Sequence, residues 1–141
     1  MNGLIKLSAL AFAGIGGVAI VQPERIPALY GGKAETADAR TEVRAAYGGT
    51  CLAMAALLVV RPSSAGTIGL ITAGMAAGRA AGIAQEGGEA SDVTRYTLMG
   101  ECAIAAALIL GRGQIAAGHA ASAISDKASD AASAVQSAVS R

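Results

Sequence analysis

The chain has 141 residues with a formal net charge of +1 at pH 7, and only 15% of them are Asp, Glu, Lys or Arg. Soluble domains carry about a quarter charged residues, and nucleic-acid binding needs a Lys/Arg footprint that neutralises phosphates; both classes are excluded. With 53% hydrophobic residues, 19 Gly, no Trp, one Phe and three Tyr, a water-facing domain would lack the large side chains that fill a core, whereas small residues are the usual contact surface between helices in lipid.

A mean hydropathy of +0.50, carried in long uncharged runs, therefore predicts an all-α integral membrane protein. Residues 3–21 are the first apolar run, interrupted only by Lys6 and Ser8. About 19 residues reach across ~30 Å of hydrocarbon, and Lys6 is close enough to the end to snorkel. A cleaved leader is the competing reading; it is disfavoured because the run outlasts an ordinary leader core and no small-x-small site precedes Gln22-Pro23. Residues 22–40 are polar and hold Pro23, Pro27, Gly31 and Gly32, which interrupt helix.

The second span is expected over 41–60, opening with Glu42, Arg44 and Tyr47 before a clean apolar run. Arg61-Pro62-Ser63-Ser64 is a stop short enough to send the next helix back antiparallel. The third span, 65–83, carries Arg79 and the ladder Gly74, Gly78, Gly82, whose spacing of four puts the glycines on one face for close helix approach. Gly48 is a further packing glycine. After a polar connection with Gly87-Gly88, the fourth span covers 93–110, contains Glu101 and is expected to stop at Gly111-Arg112-Gly113. The chain thus divides into a four-span bundle, 1–113, and an Ala/Ser-rich C-terminal amphipathic helix or tail, 114–141. In that tail Ile124, Ala128, Ala131, Val135 and Ala138 recur at four-three spacing, a stripe too poor in large side chains to hold a helix alone in water.

Alternating spans bring the start of the second, the end of the third and the start of the fourth to one side. Glu42, Arg44, Arg79 and Glu101 then share a leaflet, with Arg44, Tyr47, Gly48 and Cys51 on one helical face. An ionisable group in hydrocarbon needs a partner, and the expected pair is Arg44 or Arg79 with Glu101. The favoured reading is an ion-pair clasp that fixes helix register; the alternative is a polar pocket for a ligand headgroup, proton or metabolite.

Other chemistry is thin. Cys51 and Cys102 lie in apolar runs without C-x-x-C spacing, one His (His119) makes no metal site by itself, and Gly14-Ile15-Gly16-Gly17 lacks the strand and Lys of a phosphate loop. No cofactor, metal or nucleophile-and-base arrangement is expected, and Cys102 is expected to be buried and inert.

The segments Leu29-Tyr30-Gly31-Gly32, Glu42-x-Arg44-Ala45-x-Tyr47-Gly48-Gly49, Gly78-Arg79 with Glu86-Gly87, and Glu101 resemble the DUF4345 family of small bacterial four-helix membrane proteins. The resemblance covers about positions 3–112. It departs where the family pattern has Asp-Gly and this chain has Glu86-Gly87. It implies the four-span architecture and the importance of the charged set, and it imports no activity.

The functional expectation is a non-enzymatic accessory or assembly subunit of a larger membrane complex, a bioenergetic one among the candidates, with membrane lipids and other membrane subunits as partners. The alternative is a small carrier or binding protein for a lipid or hydrophobic metabolite that uses the same charged residues. The expected location is the bacterial inner membrane. Lys and Arg are almost evenly divided between the two sides; Arg61 and Arg112, tight at span ends, favour cytoplasmic termini.

Overall fold

A computed structural model describes residues 2–139, and among these every regular element is a helix. The side chains of residues 114, 115, 130–132 and 134–139 lie outside the described set. Helix α1 (Gly3–Val21) starts at Asn2, whose side-chain oxygen accepts from the Ile5 amide at 3.0 Å, and ends before Gln22-Pro23. After the single turn α2 (Arg25–Ala28), Thr36 caps α3 (Ala37–Val43) by accepting from the Ala39 amide. That cap starts the second span four residues earlier than the sequence reading placed it.

The rod continues through a π-helical stretch, Arg44–Gly49, into α4 (Thr50–Val60). Pro62–Ser64 forms a 3-10 turn, and α5 (Ala65–Gln85) runs back to a turn in which Gly87 and Gly88 adopt φ of +66° and +87°. Only glycine takes that conformation without strain.

Helix α6 (Asp92–Val139) is 48 residues long, and it does not stop at Gly111-Arg112-Gly113. Gly111 serves approach rather than termination: a Cβ on it would lie 3.0 Å from Ile5 Cγ1, and its carbonyl accepts from the Asn2 side-chain amide at 3.0 Å, whereas Gly113 meets nothing within 4 Å. Two interior glycines cost about 2 kcal/mol of helix propensity, which the Ala/Leu/Ile-rich flanks and this contact offset. At 1.5 Å per residue the helix is roughly 72 Å long, so its last turns project well past the bundle. Ile124 is exposed there, and of the expected stripe the side chains at 131, 135 and 138 fall outside the described residues.

Four segments, Gly3–Val21, Ala37–Val60, Pro62–Gln85 and Asp92–Ser129, are long and apolar enough to cross a membrane. At most 33% of any such window is buried within the chain; Leu7, Leu10, Leu70 and Leu110 point outwards, as contact with hydrocarbon requires.

Around the bundle the order is α4, α1, α6, α5: α1 packs on α4 and α6, α6 packs on α5, and α4 meets α5 chiefly through the turn that joins them. Ile5, Ala9, Phe12, Cys51, Met54, Ala55, Leu58, Ala65, Ile68 and Leu108 form the core. All except Phe12 and Cys51, which border a cavity at the other end, belong to the end of the bundle that holds Asn2, the Pro62 turn and Gly111, so that end is tightly closed.

The glycines divide in a way their spacing did not reveal. Gly16 and Gly48 bring α1 against the second span: a Cβ on Gly16 would lie 2.8 Å from Leu52 Cγ and 3.0 Å from the Gly48 carbonyl oxygen, and one on Gly48 would lie 2.6 Å from Ile20 Cδ1. Gly69 does the same between α5 and α6, against Leu108 and the Ala105 carbonyl. The ladder Gly74, Gly78, Gly82 meets nothing within 4 Å and faces outwards. It packs no helix of this chain and leaves that face open to a helix from outside it.

Candidate functional site

At the other end the helices diverge around a cavity of about 310 Å³. Its walls are mostly apolar, drawn from Phe12 and Ile15 of α1, Cys51 of α4, Met75 of α5, and Gly100 and Ile104 of α6; the hydroxyl of Thr72 on α5 is turned back to the Ile68 carbonyl at 2.9 Å. Ile26, Leu29 and Tyr30, from the connection that contains α2, roof it over. The volume is at the lower end of small-molecule sites, ~300–1,000 Å³, which share this mostly apolar wall with few polar groups.

The polar groups converge on one pair. Arg79 Nε donates to Glu101 Oε2 at 3.0 Å and Arg79 Nη2 donates to Glu101 Oε1 at 2.8 Å. This two-pronged fit uses the planar fork of the guanidinium. Glu101 is 8% exposed, and no buried side-chain nitrogen or oxygen lacks a partner among the described residues. The Arg79 guanidinium carbon lies 5.4 Å from the centroid of the Tyr30 ring, close enough for a cation–π contact. The Tyr30 hydroxyl in turn shares a hydrogen bond of 3.1 Å with Thr97 Oγ1. Nη1 of Arg79 has no hydrogen-bond partner among the described residues. Outside the cavity, Arg79 also borders a recess of about 280 Å³ with Glu86, Glu89 and Thr94, so the pair sits just beneath the polar connection.

Of the charged residues singled out in the sequence, the structure brings together Arg79 and Glu101 and leaves the other two apart. Arg44 Nε donates to the Ile20 carbonyl at 3.1 Å. It thereby satisfies one of the orphan acceptors in the last turn of α1 and places a cation at the negative end of that helix. Glu42 is exposed and joins no ion pair among the described residues. Of the two pairings expected for Glu101, the structure makes the one with Arg79, and Arg44 and Glu42 take independent surface roles.

Tyr47, almost halfway along the Ala37–Val60 span, lines the cavity from the π-helical stretch. There the Thr50 amide reaches back to the Ala45 carbonyl, and the extra residue in that turn re-aims the side chains; such bulges recur at functional sites.

Tyr30 and Thr97 were missed as site residues, although Tyr30 is the only aromatic residue of the polar connection and that was the available signal. Cys102, expected to be buried, is exposed, whereas Cys51 is buried. Among the described residues no group of three His, Cys, Asp or Glu is placed to hold a metal ion.

Residues 1–112 match the family model described as a domain of unknown function, DUF4345. No curated protein and no solved structure matches the chain.

Proposed function

The chain belongs to the DUF4345 family, and on that premise we propose that it is a non-enzymatic integral membrane protein that binds a small amphiphile. The observation that carries the reading is the cavity itself, closed at one end by the core, roofed by Ile26, Leu29 and Tyr30, and charged only where Arg79 and Glu101 meet. A clasp needs no empty volume beside it. Close packing is the rule in protein interiors, and an unfilled space of this size loses dispersion contacts along its whole wall. The pair holds a ligand rather than transforming it, since both carboxylate oxygens are committed to the guanidinium. We place the protein in a bacterial inner membrane with both termini cytoplasmic, beside Arg61 and Arg112.

The test fills the cavity without disturbing the bundle. Gly100 lines it, and a Cβ there meets nothing within 4 Å, so Gly100→Leu adds volume where there is space. Native mass analysis of the wild type released gently from membranes is expected to show a bound small molecule. In Gly100→Leu that extra mass is lost, while its thermal unfolding matches that of wild type stripped of the molecule. Equal loading of the two proteins, or a wild type that carries nothing, would contradict the reading.

A second reading, an accessory subunit of a larger membrane complex, is supported by the outward ladder Gly74, Gly78, Gly82. A helix from another chain can approach α5 closely there, and the two readings are compatible.

A further inference from the structure

We infer that the amphiphile has an uncharged, hydrogen-bonding head and a hydrocarbon tail, and that it comes from the bilayer. This deepens the binding reading above and rests on it.

The head group follows from the charge state of the pair. Arg79 and Glu101 cancel each other through two hydrogen bonds, so the polar end of the cavity carries donors and acceptors without net charge. An anionic head drawn to Arg79 would meet the Glu101 carboxylate at the same place. A cationic head drawn to Glu101 would meet the guanidinium. In surroundings of low effective dielectric either encounter is strongly unfavourable. A hydroxyl or carbonyl oxygen instead accepts from Nη1, the one edge of the guanidinium without a partner, and pays no desolvation penalty for a charge. Tyr30, Tyr47 and Thr97 add hydroxyls around the same end.

The tail follows from the ring order. Because α4 and α5 meet chiefly at their shared turn, the wall between them is the thinnest, and Tyr47 and Met75 on its two sides are each 42% exposed. A chain longer than the cavity leaves there into hydrocarbon, and the same gap admits it. The core closes the opposite end.

The experiment measures saturable binding of radiolabelled 1-dodecanol, dodecanesulfonate and dodecylamine to the full chain in phosphatidylcholine nanodiscs, with empty nanodiscs subtracted. The wild type is expected to bind 1-dodecanol at least about tenfold more tightly than either charged probe. Glu101→Gln leaves Arg79 uncompensated and is expected to invert the preference toward dodecanesulfonate. Arg79→Gln combined with Glu101→Gln restores neutrality and the preference for the alcohol, and this variant keeps the test decisive if the single variant does not fold.

A charged probe that binds the wild type as tightly as the alcohol, and is lost in Gly100→Leu, would overturn the inference while leaving the binding site in place. An alcohol preference that neither single nor double variant alters would overturn the role assigned to the pair. If no probe binds saturably, the inference and the binding reading fall together.

Discussion

Replacing Glu101 with Ala is expected to destabilise the bundle by about 2–3 kcal/mol, because it leaves the Arg79 side chain, 23% exposed and bordering the recess of Glu86 and Glu89, with its two hydrogen bonds unmade. Arg79→Ala is expected to cost a similar amount through the orphaned carboxylate. Methionine at both positions together should lie within about 1–2 kcal/mol of the wild type, since neither charge is then buried alone and the volume is kept. Equilibrium unfolding in bicelles, run as a double-mutant cycle, measures all three. The asymmetry is the point: a large penalty for either single change with a small one for the double shows a pair isolated from water. Single changes below about 1 kcal/mol would show a pair that water reaches freely.

The second large effect concerns glycine. Gly16→Val should cost about 3 kcal/mol by forcing α1 away from the second span, because even a Cβ there would sit 2.8 Å from Leu52 Cγ and 3.0 Å from two backbone atoms. Backbone cannot give way as a side-chain tip can. Gly48→Ala should be milder, since its nearest obstacle is the flexible end of Ile20. Gly78→Ala, on the open ladder, should leave the isolated chain unchanged or stabilise it by up to ~1 kcal/mol through helix propensity. The same unfolding measurement ranks the three. Should Gly78→Ala prove the most damaging in the isolated chain, the packing described here would be wrong.

These two cases also show what the sequence could and could not reveal. Length and hydropathy placed all four spans, because about 20 apolar residues in a row have few alternatives to crossing a membrane. The resemblance carried by Glu42-x-Arg44-Ala45-x-Tyr47-Gly48-Gly49 and its companion segments anticipated the family that residues 1–112 belong to. Helix ends were less legible. Thr36 as a cap lies inside a segment marked by proline and glycine, and Gly111-Arg112-Gly113 reads as a stop until Asn2 and Ile5 are seen to rest against it.

Which glycines pack was beyond the one-dimensional pattern. Regular spacing finds a small-residue face, yet what lies opposite that face depends on the ring order of the helices. Gly74, Gly78 and Gly82 had the better spacing, while Gly16 and Gly69 have the neighbours. Similarly, four charges at one level suggested four partners. Arg44, at the start of the π-helical stretch, reaches the carbonyl of Ile20 instead, and Glu42, in α3, is exposed; neither placement has a sequence signature of its own. Tyr30 stands out as the one aromatic residue of its connection, but its partners Arg79 and Thr97, on α5 and α6, are visible only in the fold.

We propose that the space beneath the Arg79–Glu101 pair is a binding site rather than a packing fault, and a density map of the protein extracted together with its surrounding membrane distinguishes the two. Elongated density is expected inside the bundle, with its polar end at Arg79 Nη1 and its tail emerging between Tyr47 and Met75. A cavity without such density, or one closed by direct contact between Tyr47 and Met75, would contradict it.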